Sequence, residues 1–341
     1  MRITFVWIGI ICFFTACSNK EKIPDVSAIK VTLSTERFER DLFKVDSVNF
    51  AQQFDQLIGK YPSFGENFLS TILNADPKWS ADTTRNYVWG FIKAYRNVFD
   101  SSEIIFKDFN QYEKEIKKSL QFLKYYFPKY IAPKKIITYI GPLDGFGDIL
   151  ADDAFIIGLH HHLGKNFTLY QSEMVQQIYP YYISSLFTPE QIATNCMKNT
   201  ILDMYPEKMD DKTLIHQMIE KGKRLYLLQK LLPYYGEYMI MGYSEEQMKS
   251  CYKNEIAIWD LFIKNNLLQT IDNSLIKNYI GESPKTQELV DAEGKFAPGN
   301  IGSFAGWQIV KKYMNKNPAV TPEQLMKLDD EIIFSEAKYK P

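Results

Sequence analysis

Apolar residues recur at helical spacing over much of residues 50–128. The clearest stretch carries Ile116, Leu120, Leu123 and Phe127 at intervals of three or four residues, which places all four on one face of a helix. A proline follows directly, and a proline ring blocks the backbone hydrogen bonding that would continue the helix. The pattern therefore predicts helices across this region, with one of them ending at the proline.

Three shorter segments break this rhythm and have the composition of β-strands. Residues 29–43 mix β-branched, apolar and charged residues in near alternation, which predicts one strand that leads into a turn. Residues 135–140 are rich in β-branched side chains, and residues 154–163 form an apolar run that ends before a glycine. Glycines and a proline supply turn residues between these two runs. We predict two strands here that pair with the first.

The second half of the chain carries helix start signals. Residues 188–191 and 321–324 both read Thr-Pro-Glu-Gln, and residues 244–247 read Ser-Glu-Glu-Gln. In such a capping box, the hydroxyl and the glutamine amide each satisfy a backbone N–H group at the helix start. Proline is also favoured at the first helical position. These signals predict a helical second half, and the fold class is mainly α with a small β-sheet (α+β).

The first seventeen residues have the layout of an export signal. Arg2 precedes an apolar run over residues 3–14, and two small residues stand before Cys17. The run is shorter than the roughly 20 apolar residues that cross a bilayer, which argues against a transmembrane helix. Cleavage would leave Cys17 at the N-terminus, where bacterial lipoproteins carry acyl chains that each bury methylenes at about 0.8 kcal/mol apiece. We expect lipidation at Cys17, and a secreted protein without lipid is the alternative.

The predicted organisation follows from these segments. Residues 1–16 are the signal peptide, and residues 17–28 are a polar tether that carries the lipid. Residues 29–341 then form a single domain. Its strand-containing part covers about residues 29–164, and its helical part covers about residues 165–341.

Charge and cysteine content narrow the function classes. The chain has 40 Lys and Arg residues against 41 Asp and Glu residues, a formal net charge of −1. This balance gives no electrostatic footprint for nucleic acid. Apart from Cys12 in the signal and Cys17, only Cys196 and Cys251 remain. One disulfide is open to them in an oxidising compartment, but both fall on helical apolar patterns, so buried thiols are favoured.

Three consecutive histidines raise the question of a metal site. On a strand, His160 and His162 would share one face and offer two nitrogen ligands, with His161 on the other face. Zinc needs further protein ligands, and no HExxH or CxxC spacing supplies them. Asp152 or Asp153 could add a carboxylate, although nothing fixes its position. We favour a surface or strand-end cluster, with a metal site as the alternative.

Charged residues on two predicted helices are further candidates. His216, Glu220 and Arg224 are spaced by four residues, and we interpret them as a solvated row of paired charges rather than a catalytic group. Glu255 lies in the apolar stripe of residues 248–262, so its carboxylate is expected to point inward. Because a buried carboxylate needs a partner, we expect a salt bridge or a hydrogen bond to an Arg or a backbone amide. Acid–base chemistry at Glu255 is the less favoured alternative.

Other segments give no specific chemistry. Residues 299–303 lead towards a predicted helix over residues 307–315 and lack the phosphate-binding pattern GxxxxGK[ST], which favours a packing corner. No GxSxG motif of serine hydrolases occurs. Tyrosine doublets at 125–126, 181–182 and 234–235 offer a candidate sugar- or protein-binding patch, although helix packing absorbs most such residues.

Five segments together carry a family resemblance. They are residues 139–142 (YIGP), 182–199 (YISSLFTPEQIATNCMKN), 217–223 (QMIEKGK), 298–302 (PGNIG) and 306–310 (GWQIV). In this order they resemble the gliding-motility lipoprotein GldB family of Bacteroidetes, from the lipoprotein signal to the last residues. The resemblance implies a membrane-anchored accessory of the gliding machinery, which is coupled to type IX secretion. It implies no enzymatic activity, no cofactor and no catalytic residue.

The layout is also distantly similar to that of predicted zinc peptidases, in which one helix carries HExxH and a later helix supplies a glutamate. The matching positions are residues 195–199, which read NCMKN, and Glu220. Neither imidazole nor the glutamate that activates water stands within residues 195–199, so zinc hydrolysis by that route is not expected. The similarity implies, at most, a zincin-like fold that is used for binding.

These observations predict a non-enzymatic lipoprotein of the cell envelope that faces the periplasm and supports the gliding and secretion machinery by binding proteins. Its expected partners are the membrane, through the lipid on Cys17, and protein components of that machinery. Two alternatives stay open. One is an exported metal-dependent hydrolase that uses His160 and His162, with Glu220 as a further candidate ligand. The other is a glycan-binding lipoprotein that uses the tyrosine doublets.

Overall fold

The computed structural model describes residues 22–207, 212–290 and 294–341. The predicted signal peptide and Cys17 lie outside these residues. Helices dominate the described part and accompany two small sheets, which confirms the prediction of a mainly α protein with a small β-sheet. Within those three ranges, no helix is long and apolar enough to cross a bilayer.

Helices occupy much of the described ranges, from Phe38 to Ala337. The α-helices are α1 (Phe38–Lys44), α2 (Phe50–Lys60), α3 (Pro62–Asn67), α4 (Ala81–Ala94), α5 (Arg96–Ile105), α6 (Asn110–Tyr126), α7 (Glu173–Ile178), α8 (Tyr181–Ser184), α9 (Ile192–Met204), α10 (Leu214–Leu231), α11 (Glu237–Met241), α12 (Glu245–Lys253), α13 (Glu255–Lys264), α14 (Asn273–Ile280), α15 (Ile301–Lys316), α16 (Pro322–Lys327) and α17 (Asp330–Ala337). A π-helix covers Phe68–Ile72, and 3-10 helices cover Leu159–His161, Thr168–Gln171 and Pro189–Gln191.

The larger sheet contains the three predicted strands. Its strands are β1 (Ser34–Arg37), β2 (Lys135–Tyr139), β3 (Ile149–Leu150) and β4 (Ala154–Gly158), in the spatial order β1-β2-β4-β3. β1, β2 and β4 are parallel, and Ile137 lies opposite both Glu36 and Ile156. The predicted pairing is confirmed for β2, which lies next to β1, whereas β4 pairs with β2 and not with β1. The two-residue strand β3, which adds an antiparallel edge to β4, was not predicted.

Two segments differ from the sequence-based expectation. The predicted turn after the first strand is helix α1, because Phe38 and Leu42 lie one helical turn apart and are both fully buried. The predicted helical part also contains two short strands, β5 (Thr286–Val290) and β6 (Phe296–Ala297), which pair antiparallel.

The capping boxes have mixed outcomes. Ser244 and Thr321 each accept a hydrogen bond from the backbone N–H three residues later, and the matching glutamines return it, so both predicted boxes are confirmed. Thr188 caps no amide with its side chain. A 3-10 turn follows Thr188, and α9 begins only at Ile192, so the predicted box at residues 188–191 is wrong.

Helices α10 and α15 pack backbone to backbone in the core. A Cβ atom on Gly222 would collide with the backbone of Gly306, and a Cβ atom on Gly306 would collide with the carbonyl of Met218. α15 is buried on nearly all sides, and Trp307 and Phe304 have no exposed surface. The predicted helix over residues 307–315 is confirmed, although it begins earlier, at Ile301.

Packing starts close to the N-terminal end of the described chain. Val26 is fully buried, and the side-chain amide of Gln121 donates to the carbonyl oxygen of Ile29 at 2.8 Å. Ordered contact with the body thus begins inside the predicted tether of residues 17–28.

Both remaining cysteines are free thiols, as the apolar patterns favoured. Cys196 on α9 and Cys251 on α12 are each 1% exposed. Burial raises the pKa of Cys251 to about 12. The pKa of Cys196 is also raised, mainly by burial and to a smaller extent by the nearby Asp148 carboxylate. Neither thiol is therefore ionised near neutral pH, and thiolate is the reactive form of cysteine.

Candidate functional site

The three histidines lie in a buried turn at the end of β4. Their exposed fractions are 0% for His160, 7% for His161 and 1% for His162. Because the strand gives way to a 3-10 turn after Gly158, the rings point in different directions instead of alternating across a strand. The predicted position at a strand end is confirmed. The predicted shared strand face for His160 and His162, and a surface location, are wrong.

His160 and His161 are neutral and held by backbone groups. Nδ1 of His160 accepts from the N–H of Gly141 at 3.0 Å, and its Nε2 lies 3.0 Å from the carbonyl oxygen of Phe146, to which it donates. Nε2 of His161 lies 3.1 Å from the carbonyl oxygen of Leu143. Burial lowers the pKa of both rings, that of His161 to about 4. The single lone pair of neutral His160 is therefore already engaged.

His162 forms a buried ion pair with Asp148. Its Nδ1 lies 2.9 Å from the carbonyl oxygen of Thr188, and its Nε2 lies 2.8 Å from Oδ2 of Asp148. Because both ring nitrogens face acceptors, both carry protons and the ring is an imidazolium. Burial disfavours the charge on both groups. Asp148 nevertheless raises the pKa of His162, and His162 lowers the pKa of Asp148. The side chains are 1% and 5% exposed, respectively.

Two asparagines on α9 complete the surroundings of Asp148. Nδ2 of Asn195 donates to Oδ2 of Asp148 at 2.9 Å, and Nδ2 of Asn199 donates to the backbone carbonyl of Asp148, also at 2.9 Å. The Gly158 N–H donates to Oδ1 at 3.2 Å. Asn195 and Asn199 occupy the positions that would match the two histidines of HExxH. Here their amides tether the loop before β3 to α9.

Sequence reasoning missed Asp148. The sequence feature that could have indicated a buried polar partner is the pair Asn195 and Asn199. They lie one helical turn apart, and two side-chain amides at that spacing favour a shared polar partner. No local sequence pattern marks Asp148 as that partner, because it lies 47 residues before Asn195.

The candidate metal ligands are not brought together. Oε1 of Glu220 lies 2.7 Å from Nζ of Lys223, and Oε2 lies 2.7 Å from Arg224. Asp152 and Asp153 are exposed. In the part of the chain that the structure covers, no group of three or more His, Cys, Asp or Glu side chains is arranged to hold a metal ion.

The predicted row of His216, Glu220 and Arg224 divides into two groups. Glu220 and Arg224 pair as expected for i and i+4, although the pair is shielded from solvent. Burial alone would raise the pKa of Glu220, but hydrogen bonds from Lys223 and Arg224 lower it to about 2. His216 instead contacts the Thr213 hydroxyl, at 2.8 Å from Nδ1.

His216 lies between a hydroxyl and a carboxylate, an arrangement that resembles a catalytic triad. Its Nε2 lies 3.4 Å from Oε2 of Glu331, a side chain that is 64% exposed. None of Thr213, His216 and Glu331 lines the cleft described below. The geometry therefore gives this arrangement no place to hold a substrate.

Glu255 has a different partner from the expected one. The chain breaks its helical course at Asn254, so Glu255 stands in the first turn of α13 rather than inside a continuous stripe. It is half-buried, and the hydroxyl of Tyr339 donates to its Oε1 at 2.5 Å. The prediction of an Arg or backbone-amide partner is wrong because this tyrosine near the C-terminus takes the role.

A cleft of about 1090 Å³ opens between α8, α9, α10, α11 and the start of α15, and we call it the α9–α15 cleft. Its apolar lining comes from Leu186, Ile201, Leu202, Leu225, Leu228, Ile240 and Met241. Asn199 lines it as well, so the cleft borders the Asp148 loop. Of the three tyrosine doublets, Tyr181 and Tyr182 lie in the lining.

Lys198 is a cation inside this cleft. It stands next to Asn199 on α9, and its side chain is open to the solvent of the cleft. Desolvation by the cleft walls lowers the pKa of Lys198, while Glu282 acts in the opposite direction. Among the residues described, Lys198 has no ion-pair partner.

Comparison with known proteins adds the identity of the family. No curated protein and no solved structure matches the chain. A family model described as gliding motility protein GldB matches residues 19–341, which include the Asp148 loop, the histidine turn and the whole cleft. The chain therefore belongs to the GldB family of gliding motility lipoproteins.

Proposed function

We propose that the protein supports the gliding machinery, and the type IX secretion coupled to it, by binding another protein without catalysis. Membership of the GldB family is the observation that carries this proposal. The chemistry of the described site agrees with it. The thiols are buried with raised pKa values, and the His160 and His162 rings are held by hydrogen bonds that a metal or a substrate would have to break.

The proposal includes an anchor in the cell envelope. Lipid on Cys17 would hold the protein on a membrane with the body facing the periplasm. Val26 is already packed in the body, so the segment between anchor and body is short.

Deletion of the gene tests the proposal. We expect the deletion strain to lose colony spreading and to export less type IX cargo, and the unaltered gene in trans to restore both. Spreading and cargo export at the level of the parent strain would refute the proposal.

Glycan binding remains as a second candidate because Tyr181 and Tyr182 line the cleft and Tyr181 is 57% exposed. Aromatic faces of this kind bind apolar surfaces, including those of sugars. Retention of the purified protein on immobilised polysaccharide, lost on Tyr181→Ala, would support this function instead.

A further inference from the structure

We propose that the outer face of α6 lies against the anionic headgroups of the membrane that carries the lipid anchor, with its lysines and the exposed Tyr125 turned towards the lipid. This inference rests on the lipid on Cys17 that the proposed function includes, and it adds a second contact with the same membrane. Its observations are a helix face that carries lysines and no acidic residue, the entry of the tether at that face, and the short chain between the body and Cys17.

The outer face of α6 is basic. Because a helix turns by about 100° per residue, six residues of α6 lie within about 60° of one line along its surface. We call them the lysine stripe: Lys114, Lys117, Lys118, Gln121, Lys124 and Tyr125. The two acidic residues of α6, Glu113 and Glu115, lie outside the stripe and accept hydrogen bonds from the hydroxyls of Thr35 at 2.7 Å and Tyr235 at 2.8 Å. The stripe therefore carries four positive charges with no acidic residue among them.

The lysines of the stripe are open to solvent. Lys114 is exposed, and the other three lysines are partly exposed. Nζ of Lys118 lies 5.4 Å from the centre of the Phe122 ring. Within the three described ranges of the chain, none of the four lysines forms an ion pair. Their ammonium groups are therefore available to an anionic surface.

Few acidic residues stand near the stripe. The pKa of Asp25 in the tether is lowered mainly by the Ser27 N–H and to a smaller extent by Lys118, so one carboxylate lies near the stripe. The tether outside the described residues adds Lys20 and Glu21, one charge of each sign. α9, which leads to the undescribed residues 208–211, packs on the opposite, apolar side of α6, where Tyr205 contacts Phe127.

The tether enters the body at the lysine stripe. Gln121, in the stripe, donates from Nε2 to the carbonyl oxygen of Ile29 at 2.8 Å. The N–H of Ile29 donates to the carbonyl oxygen of Val26 at 3.0 Å, and Val26 is fully buried. At 1.5 Å per residue, every residue of the stripe lies within about 11 Å of Gln121 along the helix axis. The chain that leads to Cys17 therefore starts from the stripe.

The chain outside the described residues is short. Lys22, the first described residue, lies five positions after Cys17, which corresponds to at most about 18 Å of extended chain. Attraction to a charged surface decays over about 8–10 Å at physiological ionic strength. A lipid on Cys17 would therefore hold the stripe where small movements of the tether bring its lysines into this range. The anchor makes the second contact intramolecular, which raises its effective concentration.

The side chains of this face fit an anionic lipid surface. A lysine close to such a surface raises the occupancy of the docked orientation about fivefold. Tyrosine is enriched at the level of the headgroups, because its ring is apolar and its hydroxyl is polar. Tyr125 is 50% exposed in the stripe, and Tyr234, whose ring lies 6.1 Å from that of Phe122, is 67% exposed beside it. A soluble polyanion would use the lysines alone, whereas a membrane also accounts for the tyrosines and for the entry of the tether.

The test uses the full-length protein, purified in detergent from its own membrane fraction. The mass of the N-terminal peptide first establishes whether Cys17 carries lipid. The protein is then reconstituted into vesicles of phosphatidylcholine, or of phosphatidylcholine and phosphatidylglycerol in equal amounts. Its lysines are acetylated for increasing times and quantified by mass spectrometry.

We expect the lysines of the stripe to react at least about threefold more slowly on the anionic vesicles than on the neutral ones, because docking covers them. Lys249 on α12 and Lys264 on α13 are the internal controls, since both side chains are 74% exposed. Their acetylation rates should be the same on both kinds of vesicle.

Three variants test the role of the charge, with acetylation of Lys114 as the readout. Lys117→Gln, Lys118→Gln and Lys124→Gln in combination should abolish the protection of Lys114 on anionic vesicles. The same three positions changed to Arg should keep that protection within about twofold, because the positive charge remains. Lys249→Gln with Lys264→Gln is the matched control and should leave the protection unchanged. Circular dichroism and thermal unfolding should be the same for all three variants.

Several results would overturn the inference. They are equal acetylation rates of the stripe on both kinds of vesicle, the same slowing of Lys249 and Lys264, or full protection of Lys114 in the Gln variant. Stronger protection by a soluble acidic polysaccharide than by anionic vesicles would assign the stripe to a soluble polyanion instead. Each of these leaves the proposed function intact if the deletion strain still loses spreading. An N-terminal peptide without lipid would refute the proposed anchor and this inference with it.

Discussion

At the scale of single residues, the carboxylate of Asp148 holds together three separate parts of the chain. His162 comes from the turn after β4, Asn195 comes from α9, and Asp148 itself precedes β3. A charge that is buried this deeply is tolerated only with a counterion and hydrogen bonds to the remaining oxygen lone pairs. Removal of that charge should therefore affect stability more than removal of a surface carboxylate.

We expect Asp148→Asn to lower the free energy of unfolding by about 3–5 kcal/mol, because it leaves the His162 imidazolium buried without a counterion. Urea unfolding followed by circular dichroism measures the change. Asp144→Asn, at an exposed position in the same loop, is the matched control and should change stability by less than about 0.5 kcal/mol. Equal effects of the two substitutions would show that the ion pair contributes nothing.

The histidine turn also predicts the pH dependence of stability. Burial lowers the pKa of His160, and that of His161 to about 4, whereas Asp148 raises the pKa of His162 against burial. Between about pH 6 and pH 4.5, the unfolded chain binds protons on all three rings, but the folded protein binds one on His162 alone. Unfolding then takes up two protons, and stability falls with decreasing pH by about 2.8 kcal/mol per pH unit.

Above the ordinary histidine pKa of about 6.5, the sign reverses. The unfolded chain has lost its proton while folded His162 keeps it, so stability also falls as the pH rises through the raised pKa. We expect the urea concentration at the unfolding midpoint to be highest near pH 6.5. In His161→Phe, stability should fall less steeply below that pH, because unfolding takes up about one proton fewer. A profile that is flat from pH 4.5 to pH 7 would contradict this assignment.

At the scale of elements, the crossing of α10 and α15 depends on two glycines. Gly222→Ala should destabilise the protein by about 1–3 kcal/mol or more, because its Cβ atom would collide with the backbone of Gly306. Gly90→Ala on α4 is the matched control, since nothing lies within 4 Å of the added carbon. It should stabilise the protein by about 0.5–1 kcal/mol through helix propensity. Thermal unfolding of both variants measures the contrast, and effects of the same sign would contradict it.

The elements differ in how far the sequence predicts them. The α6 stripe and the caps at Ser244 and Thr321 depend on neighbours within one or two turns, and the structure has them as predicted. Thr188 has the same four letters as Thr321, yet its carbonyl accepts from His162 and a 3-10 turn replaces the box. The sequence around Thr188 cannot indicate a hydrogen-bond partner that lies 26 residues away.

The candidate site was less predictable than the fold for the same reason. The sequence drew attention to the histidines, but whether they lie on a strand face or in a buried turn depends on where β4 ends. The surroundings of Asp148 and the α9–α15 cleft form through long-range packing of α9 against β3 and α10. A single sequence records neither contact.

At the scale of the whole molecule, the predicted anchor decides where the protein works. Cys17→Ser should prevent lipidation, move the protein from the membrane fraction to the soluble periplasmic fraction and reduce spreading. Labelling of cells with radioactive palmitate, followed by fractionation, measures the first two effects. Cys12→Ser, within the predicted signal peptide, is the matched control and should keep label and location. Palmitate incorporation into the Cys17→Ser protein would contradict the assignment.

The burial of Val26 has a geometric consequence for the predicted lipid anchor. Val26 lies nine positions after Cys17, with eight residues between them, and a fully extended chain spans at most about 3.3–3.6 Å per position. A lipidated Cys17 would therefore keep the point of attachment within about 30 Å of the leaflet surface. If Cys17 carries lipid, a tether of this length would confine the body to the layer of solvent that adjoins the membrane holding it, so a ligand from elsewhere would have to diffuse to that layer.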